Sequence, residues 1–304
     1  MQPGKNAPPS PPVLRHDRYA LSDAFLRAAS SESVSVRSLP ASRFALRDMT
    51  IATRIDLAAD LGESFGCYRM GDDQGMLEIV TSANVACGFH AGDPRVMDRT
   101  VADCAARGVA VGAHPGFPDL VGFGRREMDL SPAEVRTDVI YQIGALQGFA
   151  RAHGIGLQHV APHGKLANMA VVDSGYADAV AEAVAAIDDA LIVLTYAGEL
   201  AESARRKGLR VAMAGFADRA YLDDGTLVPR SEPGALVTDS DEVVSRGIRM
   251  VLEGIVRSSG GSDVHVRCDS IVVHGDTPGS VDLSRQLRKG LTAAGVEVTA
   301  LRDL

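Results

Sequence analysis

From Arg54 onward the chain repeats one pattern: a short apolar run, a polar glycine-rich loop, then a longer amphipathic stretch. Runs of four to six residues have the length of buried strands, and the stretches between them have helical length and spacing. Strands are expected at Ile55–Ala59, Asn84–Cys87, Val109–Ala113, Leu157–Ala161, Leu191–Tyr196, Leu209–Ala214 and Ser270–Val273, with a last short one at Glu297–Ala300. Helices are expected at Asp72–Ser82, Pro94–Arg107, Ser131 to about His153, Ser174–Ile187, Glu199–Lys207 and Asp239–Ser258. A final helix, capped by Thr277-Pro278, is expected to run to about Ala294. Two earlier starts carry a chemical signal. Asp93-Pro94 places a capping carboxylate before a residue whose missing N–H is no loss at the first helical position. Ser131-Pro132-Ala133-Glu134 has the spacing of a capping box.

Seven strand–helix units with short apolar strands predict an α/β fold on a parallel sheet. The long loops are expected after strands and none after a helix, and every strand end is polar. That asymmetry favours a closed (β/α)7-type barrel with its site at the C-terminal mouth. The alternative, an open doubly wound sheet, concentrates its chemistry at a single switch point.

Residues 1–48 break the rhythm. They hold six of the fourteen prolines and a net +3, which leaves −11 for the remainder of a chain of net charge −8. They are expected to be a disordered extension with at most a weak helix at Tyr19–Ala29, and Met49 is expected to begin a single barrel domain, residues 49–304. No apolar signal core or membrane-length run is present. The acidic balance argues against a nucleic-acid partner. Cys67, Cys87, Cys104 and Cys268 form no CxxC pair, which suits a reducing, cytoplasmic compartment. With 46% hydrophobic residues there is enough apolar material for a real core.

The chemistry-bearing residues sit where strands stop. Asp60 and Glu63 are two carboxylates in the first loop, able to hold a metal, orient a base or pair with arginine. His90, His114, His163 and His274 each follow a strand and would converge if those strands are parallel neighbours. A neutral imidazole is a general base near pH 7 and a common metal ligand. The HExxH signature of many zinc enzymes is absent, so the pattern leaves the metal open. Arg125, in the glycine-rich loop after the third strand, and Arg230, after Pro229, suit a carboxylate or phosphate. Asp218 and Asp276 complete the ring. No phosphate-loop or dinucleotide fingerprint occurs in the right place.

The loops Asp-Leu-Gly-Glu (60–63), Ala-Asn-Val-Ala-Cys-Gly-Phe-His-Ala-Gly-Asp-Pro (83–94), Gly-Ala-His-Pro-Gly-Phe-Pro-Asp (112–119), Gly-Phe-Gly-Arg (122–125), Phe-Ala-Asp-Arg-Ala-Tyr (216–221), Leu-Val-Pro-Arg-Ser (227–231) and Val-His-Gly-Asp (273–276) resemble the LamB/YcsF family, the A subunits of 5-oxoprolinase. The resemblance implies a barrel related to glycoside hydrolases and polysaccharide deacetylases. It implies ATP-dependent opening of 5-oxo-L-proline to L-glutamate with separate B and C subunits, ATP bringing a divalent ion such as Mg. In that frame Asp60, Glu63, His90, His114, His163, Asp218, His274 and Asp276 are the catalytic candidates, and Asn84, Arg125 and Arg230 the substrate-binding ones. The chain departs from the family pattern where Ala58 replaces Asn, Ala161 Lys, Ala167 Tyr and Ala214-Gly215 Glu-Val. Those departures imply an altered substrate or a weakened enzyme. The competing functions are a metal-dependent amidase or deacetylase acting alone, and a paralogue that binds partners or ligand without turnover.

Overall fold

Alternation along the first strand decides the architecture. Successive side chains of a strand point to opposite faces. In β1 (Arg54–Leu61), Ile55, Leu57, Ala59 and Leu61 join the main apolar core, while Ala58 belongs to a separate, smaller cluster. Asp56 shares the Ala58 face. The computed structural model describes residues 53–230, 232–275 and 279–304. After β1 come α1 (Asp73–Leu77), β2 (Ser82–Ala86), α2 (Pro94–Arg107), β3 (Ala110–His114), α3 (Pro132–Ala152), β4 (Leu157–Val160), α4 (Gly164–Val172), α5 (Ser174–Ile187), β5 (Ile192–Thr195), α6 (Glu199–Arg206), β6 (Val211–Gly215) and α7 (Ser240–Leu252). The chain ends with β7 (Ile255–Arg257), β8 (Asp263–His265), β9 (Ser270–Val273), α8 (Ser280–Ala293), β10 (Glu297–Val298) and a 3-10 turn at Leu301–Asp303.

Strands β1 to β6 pair in parallel in chain order. Strand β9 pairs with both β6 and β1, in register Ala214↔Ser270 and Ala58↔Val272, so the seven-stranded sheet closes. The expected barrel is therefore present. Its outer face carries the large core, in which Val101, Val139, Ile143, Leu146, Val180 and Leu287 from the helices meet the strands. Its inner face holds the smaller cluster of Ala58, Ala161, Ile192, Leu194, Ala212, Ala214 and Val272, with Leu301 at its base. Leu301 is 1% exposed. Arg210, at the start of β6, donates to the Leu301 carbonyl at 2.7 Å, and Arg54, at the start of β1, donates to the Leu304 carbonyl at 3.1 Å. The last turn thus plugs the end of the barrel opposite the mouth.

Both signalled helix starts form. Asp93 Oδ1 accepts from the N–H groups of Arg95 and Val96. Ser131 and Glu134 make the reciprocal pair of bonds of a capping box. The expected helix Asp239–Ser258 is corrected. Helix α7 stops at Leu252, Gly254 turns the backbone at φ 69°, and an antiparallel β7–β8 hairpin follows. Its Val256 packs with Tyr221 and Met250. A long connection therefore does follow a helix, against the expected asymmetry. Helix α4, directly after His163, was not expected; it has nine residues and no side-chain cap to announce it. The expected tail, its helix, the start at Met49 and the Thr277-Pro278 cap lie outside the described residues, as does Asp276. No helix of the described residues is long and apolar enough to cross a membrane.

Candidate active site

The mouth is a cavity of about 680 Å³ over the C-terminal strand ends. Asp60, Glu63, Asn84, His114 and His163 form one wall. Ala161, Ala167, Leu194, Ala214, Phe216 and Val272 form an apolar one, and Arg125 and Arg230 stand on the rim. His274 lines the same mouth.

Asp60 and His114 are the inward residues at the ends of β1 and β3, and His163 stands just beyond β4. His114 Nδ1 lies 2.6 Å from the Ala161 carbonyl, and His163 Nε2 lies 2.8 Å from the Phe123 carbonyl. A carbonyl can only accept, so those two nitrogens carry the protons. The remaining nitrogens, His114 Nε2 and His163 Nδ1, face each other at 3.0 Å. Two bare lone pairs repel at that distance, so the pair is stable only with a shared proton or a cation. The Asp60 carboxylate, 3.5 Å from His114 Nε2, supplies the balancing charge. Burial works to raise the Asp60 carboxyl, but the His114 and His274 rings and the Asn84 amide outweigh it and hold Asp60 below the usual carboxylate value. Burial, with help from His114, drives His163 down to about 3, so by itself its ring is neutral at neutral pH and holds a proton only when a partner shares it.

His90 is wholly buried behind this pair. Its ring stacks on His163 with centroids 3.8 Å apart and planes 4° off parallel. Burial, then His163 and His114, push it well below the ordinary imidazole value. Neither of its ring nitrogens has a hydrogen-bond partner, and Nε2 lies 3.8 Å from Glu63 Oε1, beyond hydrogen-bond reach. Glycines let the third loop close over these rings. A Cβ at Gly124 (φ 63°) would come within 2.7 Å of His90 and 2.8 Å of His163. Phe123, with φ 55°, is the one non-glycine residue of positive φ among the described residues. Its carbonyl orients His163 and its ring meets His90 and His163 edge-on. A strained backbone at such a point is common in functional sites.

Glu63, His90, His114 and His163 each bring one ligand atom within 4.8 Å of the others, close enough to hold a metal ion. Three imidazoles and one carboxylate suit a zinc-like ion better than magnesium, which prefers oxygen donors. The His90 and His163 planes are parallel and apart, so no single ion lies in both, and one ring must tilt for both to bind it in plane.

The fourth predicted imidazole takes a different partner. His274 Nδ1 bonds Asp218 Oδ2 at 2.7 Å and its ring stacks on Phe216, so it shares the mouth without joining the three-ring cluster. Asp218 is itself held below its ordinary value: burial opposes this, but His274 and Arg230 prevail. Asp93 and Asp119 serve local structure. Asp93 also accepts from the Gly66 N–H, and Asp119 clamps Arg126 and the Gly122 N–H. Arg219 is buried and spends its donors on the Ala235 and Val228 carbonyls. Sequence reasoning missed Phe123, Gln158 and His159. Only the imidazole of His159 could have raised attention, and it lies inside a strand rather than at its end.

Residues 55–304 match the LamB/YcsF family. The chain is 54% identical over 251 residues to the 5-oxoprolinase A component of Bacillus subtilis (strain 168), covering 82% of this chain and 98% of that one. It is 51% identical over 251 residues, with the same coverage, to the 5-oxoprolinase A component of Pyrococcus furiosus. Among solved structures it is similar to a lactam utilization protein from Thermus thermophilus, at 50% identity and a TM-score of 0.78, covering 81% of this chain and 99% of that one.

Proposed function

The chain belongs to the LamB/YcsF family, and on that premise we propose that it acts as the A component of a 5-oxoprolinase. It opens 5-oxo-L-proline to L-glutamate with ATP and separate B and C subunits. One observation carries the chemical side of this reading: the edge-to-edge contact of His114 and His163 beside Asp60, at a mouth rimmed by Arg125 and Arg230.

A five-membered lactam is a poor electrophile, and transfer of a phosphoryl group from ATP to its oxygen makes the ring carbon attackable. Water then adds to that carbon and gives its proton to a base, the ring C–N bond breaks as the nitrogen takes up a proton, and a second water splits the acyl phosphate left behind into glutamate and inorganic phosphate. The facing lone pairs of His163 and His114, 3.0 Å apart, suit the base: a proton taken from water is shared between them and passed on to the leaving nitrogen. Arg125 and Arg230 suit the substrate carboxylate and the phosphoryl oxygens. A metal held by Glu63, His90, His114 and His163 would supply a Lewis acid at this point. Magnesium fits the phosphates of ATP better than this imidazole-rich set.

The departures from the family pattern fall together. Ala58, Ala161 and Ala214 share the inner apolar cluster, and Ala161, Ala167 and Ala214 line the cavity. Losing Lys and Glu as a pair leaves no uncompensated charge in the barrel. This favours a lactam with more apolar surface, or slower turnover of 5-oxoproline. Glutamate release, measured with and without ATP and the two partner proteins, tests the function. Release only with all components is expected, and His163→Ala is expected to lower it about 10²- to 10⁴-fold. ATP-independent, chelator-sensitive hydrolysis would instead select a metal amidase. The double variant Ala161→Lys with Ala214→Glu is expected to change rate or substrate preference; no change in either removes the altered-substrate reading.

A further inference from the structure

Asp60 is held from inside the barrel by a chain of side chains that the proposed chemistry does not use. The pairing of β4 with β3 slips between Val111 and Gly112, so that Val111 faces Leu157 and Gly112 faces His159. The extra residue makes Gln158 and His159 both reach partners inside the barrel. Gln158 Nε2 donates to Ser82 Oγ at 3.0 Å and to His159 Nδ1 at 3.1 Å. Gln158 Oε1 accepts the Arg302 N–H, in the plug, at 3.1 Å. With Nδ1 accepting, the His159 proton sits on Nε2, which donates to Asn84 Oδ1 at 2.7 Å. Asn84 Nδ2 then donates to Asp60 Oδ1 at 2.9 Å. Each member can satisfy its neighbour in only one sense. Were the Asn84 amide flipped, it would present a carbonyl oxygen to the Asp60 carboxylate. Space for the imidazole is built in, since a Cβ on Gly112 would lie 2.1 Å from the His159 ring.

We propose that His159 is a positioning residue: held by Gln158, it locks the orientation of the Asn84 amide and so keeps an N–H donor on Asp60 beside His114. The proposal rests on Asp60 belonging to the working site, but not on which lactam is turned over. Without that donor Asp60 loses the bond that aims its carboxylate at His114.

Two readouts on the full chain test it. In the glutamate-release assay with ATP and both partner proteins, His159→Leu is expected to lower kcat about 10- to 100-fold, the usual effect of removing an outer partner of a site ligand. KM should stay within about twofold. His159→Gln, which keeps a donor toward Asn84, should recover most of the rate. Independently of activity, proton–nitrogen NMR should show the Asn84 side-chain amide protected from exchange in the parent and in His159→Gln, and exchanging fast in His159→Leu. Equal kcat in the two variants, or an Asn84 amide signal that is the same in His159→Leu as in the parent, overturns the proposal. Should His159→Leu fail to fold, Asn84→Leu removes the same N–H with His159 in place and should lower kcat at least as far; an unchanged kcat there also overturns it. An absence of glutamate release with the Asn84 amide change intact counts against the proposed reaction alone.

Discussion

Asp56 offers a quantitative test of how the barrel interior treats charge. Its carboxylate is wholly buried at the base of the inner face and accepts from the hydroxyls of Thr81, Ser82 and Ser270 at 2.8, 2.6 and 2.6 Å. Burial raises its pKa from 3.8 to about 6, although the three hydroxyls pull the other way. A difference of about 2 units corresponds to roughly 3 kcal/mol between the protonation states. The folded protein binds this proton more tightly than the unfolded chain does. The stabilising contribution is therefore fully present below pH 3.8 and is lost as pH rises through about 6. Asp56→Asn keeps the shape and cannot ionise. Urea unfolding of both proteins at pH 4 and pH 7, compared at each pH, cancels every other titrating group. The stability of the variant relative to the parent is expected to improve by about 2 to 3 kcal/mol between the two conditions. A relative stability that stays constant within about 0.5 kcal/mol refutes the assignment of a raised pKa to Asp56.

Three further outcomes are expected. Leu301→Ala removes the apolar contact at the base of the barrel and should cost about 2 to 5 kcal/mol by urea unfolding; a loss under about 1 kcal/mol would show that the plug contributes little. Asp93→Ala removes the acceptor for three backbone N–H groups and should cost about 1 to 2 kcal/mol, while glutamate release by the folded variant stays unchanged; a loss of turnover would show that Asp93 does more than hold local structure. We propose that residues 1–48 are dispensable, since the family match begins at residue 55, so their deletion should leave soluble yield and melting temperature as they were.

The strands were legible because a buried parallel strand announces itself as a short apolar run, and β9 occupies the four residues that the run marks. Caps were legible because they depend on residues three positions apart, as at Ser131 and Glu134. The β7–β8 hairpin was hidden because the polar, serine-rich residues after Leu252 carry no strand periodicity. It forms through tertiary contact of Val256 with Tyr221 and Met250. In the site, placement at a strand end located Asp60, His114 and His163. Spacing alone could not show that His90 sits behind the cavity, or that His274 pairs with Asp218. The link from Gln158 to Asp60 depends on a slipped register between two strands, and a single sequence does not display register.

The two faces of the barrel wall belong to separate packing clusters, the outer one joined to the helices and the inner one closed on itself. Varying Ala161, Ala214 and Val272, which line the cavity, among small apolar residues would therefore reshape the reaction chamber while leaving the helix-packed exterior untouched. A library confined to these three codons makes this scaffold a starting point for selecting activity on unfamiliar cyclic amides.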